Sequence, residues 1–148
     1  NGLPMGAFIV QRKYAGTLTV GTHASTFGGT PLVSAAALAV QRAFDEEGVL
    51  ENCREQGEFL RKALAEVARP YPFVRGVRGM GLMIGLVLDR EAATLAGLCL
   101  KQHLVVLTAG ECVLRLLPPL NITRAEAEQG VKRISAALAE LDRSIKEG

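Results

Sequence analysis

The second part of the chain contains two long stretches in which apolar residues recur at steps of three and four. This spacing places the apolar side chains on one side of a helix and predicts two amphipathic α-helices. The first is expected to end at Arg69, because the residue before Pro70 avoids the helical conformation. Thr123 and Glu126 have the spacing of a capping box at the start of the second. The two stripes are Leu50, Cys53, Gly57, Leu60, Leu64 and Val67, and then Ala127, Val131, Ile134, Leu138, Leu141 and Ile145.

Short apolar runs lie between these two helices and predict β-strands. Residues 73–89 are expected to form a strand, a turn and a buried second strand. A short helix over 91–102, capped by Asp89, and two further strands on either side of residue 110 are expected to follow. From about residue 46 onward this order predicts a two-layer α+β domain, in which the helices cover one face of a small, mostly antiparallel sheet.

Residues 1–45 have a different pattern. The apolar run Met5–Val10 predicts a buried strand, and residues 11–29 lack a sustained period, which predicts a loop. Thr30 and Pro31 are typical of a helix start. The following residues, LVSAAALAVQRAF, are apolar on nearly all sides, so this helix is expected to be buried. A lone strand and an apolar helix need packing partners that the rest of the sequence does not obviously supply.

Composition and charge exclude several classes of protein. Hydrophobic residues make up 49% of the 148 residues, and 17 basic against 15 acidic residues leave a net charge of +2. Because the basic residues do not cluster and there is no Trp, no nucleic-acid partner is expected. No apolar run reaches membrane-spanning length, so no membrane partner is expected either. Three cysteines without a CxxC spacing and two distant histidines predict reduced thiols, a cytoplasmic location and no metal site.

The segment GTHASTFGG, residues 21–29, gathers small and hydroxylated residues directly before the predicted first helix. The hydroxyls of Ser25 and Thr26 and nearby backbone N–H groups could bind phosphate oxygens, and Gly28 and Gly29 would allow close approach of the backbone. The same residue types are common in ordinary loops and helix caps. Since the segment matches neither common glycine-rich phosphate motif, its composition alone favours the loop interpretation.

Arg115 interrupts the otherwise apolar run CVLRLLPPL, with Val113 and Leu117 on the same face of the predicted strand. A guanidinium near a core is costly unless a carboxylate or phosphate pairs with it. Its planar fork matches a carboxylate through two parallel hydrogen bonds, so the carboxylate of a ligand is one natural partner. The alternative is an edge strand from which Arg115 points into water, and the residues favour neither interpretation.

Three stretches together resemble the C-terminal part of the class III, pyridoxal-phosphate-dependent aminotransferases. They are GLPMGAF, GTHASTFGGTPLVSAAALAV, and GLMIGLVL with the later LRLLPPLNIT, and their order and separations match as well. The last stretch narrows the resemblance toward acetylornithine aminotransferases, with succinyldiaminopimelate and ornithine aminotransferases as relatives. The resemblance implies that Thr26, with Ser25 beside it, contacts the cofactor phosphate from the neighbouring subunit of a homodimer. It also implies that Arg115 binds the α-carboxylate of the amino-acid substrate and of 2-oxoglutarate.

The resemblance further implies a fold-type I enzyme. Residues 1–45 would end its large cofactor-binding domain, and residues 46–148 would form its small C-terminal domain. None of the five lysines matches the family's Schiff-base lysine, which lies just before GLPMGAF, so no catalytic residue is assigned and the chain alone is expected to be inactive. The intact parent is expected to transfer an amino group between N2-acetylornithine, or a related diamino acid, and 2-oxoglutarate. The alternative is a small regulatory or assembly module that binds an amino acid without catalysis.

Overall fold

The computed structural model describes residues 2–26 and 28–147, which divide into two separately packed units. The first unit extends to Gly48 and contains a 3₁₀ helix over Arg12–Thr17 and helix α1 over Pro31–Glu46. The second unit begins at Val49. It contains α2 (Val49–Ala68), β1 (Val74–Met80), β2 (Met83–Leu88), α3 (Ala92–Lys101), β3 (Leu107–Thr108), β4 (Val113–Leu116) and α4 (Arg124–Glu147).

The apolar segments of the first unit are exposed in the described residues. The strand predicted over Met5–Val10 is absent: these residues pair with no other strand, and Ile9 is 99% exposed. A strand needs a neighbour to complete its backbone hydrogen bonds, and residues 2–26 and 28–48 supply none. The predicted loop over 11–29 also contains the short 3₁₀ helix.

Helix α1 begins at Pro31, after Thr30, as predicted. The expectation that it is buried is wrong for this chain, because none of its residues is buried. Within its own unit, the segment around Met5 lies along one side of the helix, where it leaves an open groove. An apolar helix stays exposed when its unit contains too little other apolar surface to cover it.

The four strands of the second unit form one antiparallel sheet in the order β1–β2–β4–β3. Buried side chains point to one face of this sheet: Ile84, Leu86 and Leu88 from β2, and Leu114 and Leu116 from β4. Helices α2 and α3 pack on the sheet, and α4 packs against both of these helices. A small antiparallel sheet with helices on one side confirms the predicted two-layer α+β fold.

The two long helices bury most of their predicted stripes, but Ile145, at the end of the second stripe, is exposed. Leu64 of α2 and Leu138 of α4 have no exposed surface, whereas Leu50, in the first turn of α2, is exposed. The capping box forms at the start of α4: the Thr123 N–H donates to the Glu126 carboxylate at 2.8 Å, and the Glu126 N–H donates to the Thr123 hydroxyl at 3.3 Å. The period of apolar residues therefore predicted both helices correctly.

Two details of the second unit differ from the sequence-based expectation. Glu91, not Asp89, occupies the N-cap position of α3, because the Asp89 carboxylate pairs with Arg75 at 3.0 Å and with Arg90 at 2.9 Å. Strand β3 covers only Leu107–Thr108, because β4 pairs with it at two positions only. The apolar residues before β3 continue as loop.

Strand β1 contains a bulge directly after Val74. Val74 and Val77 both pack against the core, although a regular strand would direct residues three apart to opposite faces. Arg75 is the extra residue that changes the alternation. As a result, Arg78 lies on the open face of the sheet, which points away from the helices.

Helix α2 approaches the β1–β2 turn closely at two glycines. A Cβ on Gly57 would lie 2.3 Å from the carbonyl oxygen of Gly81, so a larger residue would force the two backbones apart. Gly81 opens the two-residue turn with a φ of 53°, a conformation that favours glycine. Arg61 donates to the same carbonyl oxygen at 3.3 Å. This contact fixes α2 to the turn that joins the first two strands.

Candidate functional site

Arg115 lies in β4 between Leu114 and Leu116, whose side chains point into the core. Its own side chain is half-buried on the open face of the sheet. Strand pairing places Arg115 opposite Gly85 of β2 on one side and opposite Leu107 of β3 on the other. Because β4 has a neighbouring strand on each side, the edge-strand alternative for Arg115 is wrong.

The guanidinium of Arg115 has no partner of opposite charge within residues 2–26 and 28–147. It forms no ion pair there, and its Nε is buried without a hydrogen-bond partner. A buried donor without a partner typically costs about 1–3 kcal/mol, and more when it carries charge. A carboxylate can accept two parallel hydrogen bonds from the guanidinium and remove this cost. The site can therefore bind a carboxylate ligand.

A second arginine lies in the same row of the sheet. Arg78 of β1 is in register with Gly85 of β2, and Gly85 is in register with Arg115 of β4. The Arg78 Cγ lies 3.8 Å from the position that a Cβ on Gly85 would occupy, so the Arg78 side chain lies against the glycine. The sequence alone gives no reason to connect the two arginines, because the bulge in β1 decides which face Arg78 occupies.

Ser25 and Thr26 belong to the other unit, in the loop before α1, and both are exposed. Neither side chain forms a hydrogen bond within the described part of the chain. The loop turns back tightly here, since a Cβ on Gly28 would lie 3.0 Å from the Ser25 Cβ. Exposed hydroxyls without internal partners are suitable donors to phosphate oxygens, so this pair fits the phosphate of a cofactor.

Other reactive side chains have different environments. His23 packs against Phe8 with the ring centroids 5.5 Å apart, and Lys62 and Lys101 form ion pairs with acidic residues. Burial raises the pKa of the Cys99 thiol to about 11, which keeps the thiol protonated and unreactive. Over the described residues, no three metal-ligating side chains come together. None of the helices described for this chain is both long and apolar enough to span a membrane.

A family model and several individual proteins match most of the length of this chain. The family model for Aminotransferase class-III matches residues 1–138. The chain is 43% identical over 131 residues to acetylornithine aminotransferase 1 of Bordetella bronchiseptica, which covers 88% of this chain and 33% of that protein. It is 40% identical over 143 residues to the mitochondrial acetylornithine aminotransferase of Alnus glutinosa, which covers 96% of this chain and 32% of that protein. The chain thus spans about a third of the length of the curated relatives it matches.

Solved structures include similar chains. N-acetylornithine aminotransferase from Stenotrophomonas maltophilia is 36% identical with a TM-score of 0.70, over 79% of this chain and 33% of that chain. Ornithine aminotransferase from Toxoplasma gondii is 25% identical with a TM-score of 0.79, over 87% of this chain and 32% of that chain. The arrangement of helices and sheet described above is therefore shared with part of each of these larger structures.

Proposed function

This chain belongs to the class III aminotransferases, and from that premise we propose that it is part of an enzyme that transfers an amino group between N2-acetylornithine, or a related diamino acid, and 2-oxoglutarate. Relatives at 40–43% identity carry the name acetylornithine aminotransferase, which supports this choice of substrate. The predicted fold, a fragment of a fold-type I aminotransferase, is confirmed by the solved structures. The single observation that carries the proposal is the buried, unpaired Nε of Arg115.

In this proposal Arg115 binds the α-carboxylate that the amino donor and 2-oxoglutarate share. The sheet fixes the backbone of Arg115, because β2 and β3 pair with β4 on both sides. The buried neighbours Leu114 and Leu116 anchor the strand in the core. A carboxylate held through two parallel hydrogen bonds has a defined orientation, which lowers the entropic cost of reaching the reactive geometry.

The family uses pyridoxal phosphate, which supplies an electron-accepting ring that stabilises the charge left when a bond to the substrate's α-carbon breaks. We propose that Thr26 and Ser25 donate hydrogen bonds to its phosphate in the neighbouring subunit of a homodimer. The exposure of both side chains supports this role, since donors that serve a partner subunit must be accessible on their own.

We also propose that residues 1–45 end the large cofactor-binding domain and that residues 46–148 form the small C-terminal domain. The packing boundary between Gly48 and Val49 lies close to this division, which supports it. None of the five lysines is given a catalytic role, since none lies at the position that the resemblance gives to the Schiff-base lysine, just before GLPMGAF. The 148-residue chain alone is therefore proposed to lack transaminase activity.

Replacement of Arg115 tests the proposed carboxylate site in the enzyme at its natural length. Arg115→Met is expected to lower kcat/KM by about 100-fold or more for both acetylornithine and 2-oxoglutarate, because it removes a charged bidentate contact. Arg115→Lys is expected to keep little of the wild-type kcat/KM, since an ammonium lacks the planar, forked geometry of a guanidinium. The measurement is steady-state kinetics with each substrate varied in turn.

Arg75→Met is the matched control, because Arg75 lies in the same sheet and already pairs with Asp89. Both substrates should keep their kcat/KM within about twofold in this variant. If Arg115→Met keeps its melting temperature and both wild-type kcat/KM values, the proposed function of Arg115 is wrong. The same assay on the 148-residue chain with added pyridoxal phosphate should show no turnover.

Thr26→Ala tests the proposed phosphate contact. Cofactor-free enzyme at its natural length is expected to bind pyridoxal phosphate about tenfold more weakly after this change, because a hydrogen bond to a charged oxygen is lost. Fluorescence titration with the cofactor gives the two affinities. Thr22→Ala is the control in the same loop, since the Thr22 hydroxyl donates instead to the Thr19 carbonyl at 2.7 Å. Equal affinities for Thr26→Ala and the unaltered enzyme would remove Thr26 from the phosphate site.

A further inference from the structure

We infer that Asn52, near the start of α2, is a positioning residue that holds Arg115 in place for its carboxylate ligand. Asn52 acts through the segment 117–122, which joins β4 to α4, and not by touching the ligand. This inference rests on the proposed function of Arg115 and extends it to a residue of another element.

The side chain of Asn52 makes two hydrogen bonds to a distant part of the chain. Its Nδ2 donates to the carbonyl oxygen of Leu120 at 2.8 Å and to the carbonyl oxygen of Ile122 at 3.1 Å. Its Oδ1 accepts a hydrogen bond at 3.3 Å from the amide of Gln56, which lies one turn later in α2 and is buried. Because the Gln56 bond fixes which end of the Asn52 amide is the donor, both N–H groups are directed at the turn after β4.

The chain between Arg115 and this turn is stiff. Strand β4 ends one residue after Arg115, and Pro118 and Pro119 follow shortly afterwards. Each proline ring fixes the backbone φ at about −65°. A proline also restricts the residue before it to extended conformations, which applies here to Leu117 and to Pro118. A stiff, extended segment transmits the position of one end to the other, so an anchor on the turn controls how the chain leaves β4.

Side-chain packing holds this segment only loosely. The side chains of Leu117 and Leu120 are 60% and 37% exposed. Pro118 and Pro119 line an open groove together with Leu60 of α2, so the space beside the segment is incompletely filled. Since apolar contacts leave the segment partly free, its position depends on hydrogen bonds.

The hydrogen bond within the turn does not connect it to another element. The Ile122 N–H donates to the Pro119 carbonyl oxygen at 3.0 Å, which only closes the turn on itself. Over the described residues, the side-chain amide of Asn52 supplies the hydrogen bonds that join the turn to α2. Without them the end of β4 can shift, and a shift of about 1 Å in a substrate-binding group is enough to weaken binding or catalysis substantially.

The test replaces Asn52 with Leu, which has a similar size but no hydrogen-bond donor, in the enzyme at its natural length with cofactor present. The KM values for acetylornithine and for 2-oxoglutarate are both expected to rise about 5- to 20-fold, because both carboxylates depend on Arg115. The kcat should change by less than about twofold, since a weaker contact made equally in the ground state and the transition state raises KM alone. Steady-state kinetics with each substrate varied in turn gives these values.

Asn52→Asp is the second variant. It keeps the size of the side chain and the acceptor for Gln56, but an ionised carboxylate cannot donate to the two carbonyl oxygens. Its KM values should rise at least as much as those of Asn52→Leu. Melting temperatures establish that each variant is folded at the assay temperature, and Asn52→Asp serves as the test if Asn52→Leu does not fold.

Thr123→Ala is the matched control for a loss of stability. Thr123 directly follows the same turn, and this change removes the capping box of α4 while keeping the Asn52 bonds. Both KM values should stay within about twofold of those of the unaltered enzyme. A side chain that only stabilised the fold would lower kcat, because less enzyme would be active, and would leave KM unchanged. Unchanged KM values in the folded Asn52 variants would therefore overturn the inference.

A double-mutant cycle determines whether Asn52 acts through Arg115. Added to Arg115→Met, the Asn52→Leu change should raise the KM values by less than about a further twofold, because no guanidinium remains to be positioned. If the fold-changes of the two single variants multiply instead, Asn52 acts independently of Arg115 and only this inference fails. If Arg115→Met by itself impairs neither substrate, the proposed function fails, and the inference fails with it.

Discussion

The two units of the chain contain similar kinds of apolar residues but bury them very differently. Helix α1 is apolar on nearly all sides, yet none of its residues is buried. Helix α2 has one apolar stripe and several charged residues, and it buries Leu60, Leu64 and three other residues. The difference is the partner surface: α2 packs on a sheet and on α4, whereas the first unit has no sheet in its described residues. Whether a helix of this chain is buried therefore depends more on the helices and strands that pack against it than on its own content of apolar residues.

The largest expected effect comes from truncating a core residue of the second unit. Leu64→Ala should lower the free energy of unfolding by about 2–5 kcal/mol, because Leu64 is fully buried and its loss leaves a cavity. The matched change in the first unit is Ile9→Ala. It should change the free energy of unfolding by less than about 0.5 kcal/mol, because Ile9 is 99% exposed. Urea unfolding of the 148-residue chain, followed by circular dichroism, measures both values. Equal losses of stability for the two variants would contradict the difference in burial between the two units.

A smaller effect is expected at the helix starts, where each unit has a threonine at an N-cap. Thr123 bonds reciprocally with Glu126, whereas Thr30 makes no side-chain capping bond. Thr123→Ala should therefore lower the free energy of unfolding by about 1 kcal/mol. Thr30→Ala should change it by a few tenths of a kcal/mol at most, because no side-chain bond is lost. Urea unfolding at neutral pH compares the two variants.

The capping box also predicts how the Thr123 effect depends on pH. Hydrogen bonds from the Thr123 backbone and hydroxyl lower the pKa of Glu126 below its ordinary value of 4.5. A carboxyl whose pKa is lowered on folding contributes stability above its unfolded pKa and loses it as the pH falls through its folded pKa. The difference between the unaltered chain and Thr123→Ala should be constant above pH 4.5 and shrink below it. A difference that grows in acid would contradict this account of the helix start.

The sequence predicted the second unit well because a period of three and four identifies the face of a helix that will be covered. It predicted the first unit poorly, since the apolar run Met5–Val10 does not reveal whether a neighbouring strand is present. The N-cap of α3 was misplaced for a related reason. Asp89 has the right chemistry for a cap, but its carboxylate pairs with Arg75, which strand pairing brings close, and with the adjacent Arg90.

The candidate site was only partly predictable. Arg115 was identified from its apolar neighbours, because a charge within such a run needs an explanation. Ser25 and Thr26 were identified as possible phosphate donors from the composition of their loop, and their cofactor role came from the family resemblance and remains a prediction. Arg78 could not be connected with Arg115 from the sequence, because their shared row depends on which strands pair and on an irregular position in β1.

The bulge after Val74 determines which side chains of β1 face the core and which face the open side of the sheet. Side chains along a strand alternate between two sides, so adding or removing one paired residue exchanges the two sets. If Arg75 were paired in a regular strand instead of forming the bulge, Val77 would point toward solvent and Arg78 would carry its charge into the hydrophobic interior. The chemistry of this surface therefore depends on the bulge, and deletion of Arg75 would leave a regular strand in which Val77 and Arg78 keep their present faces.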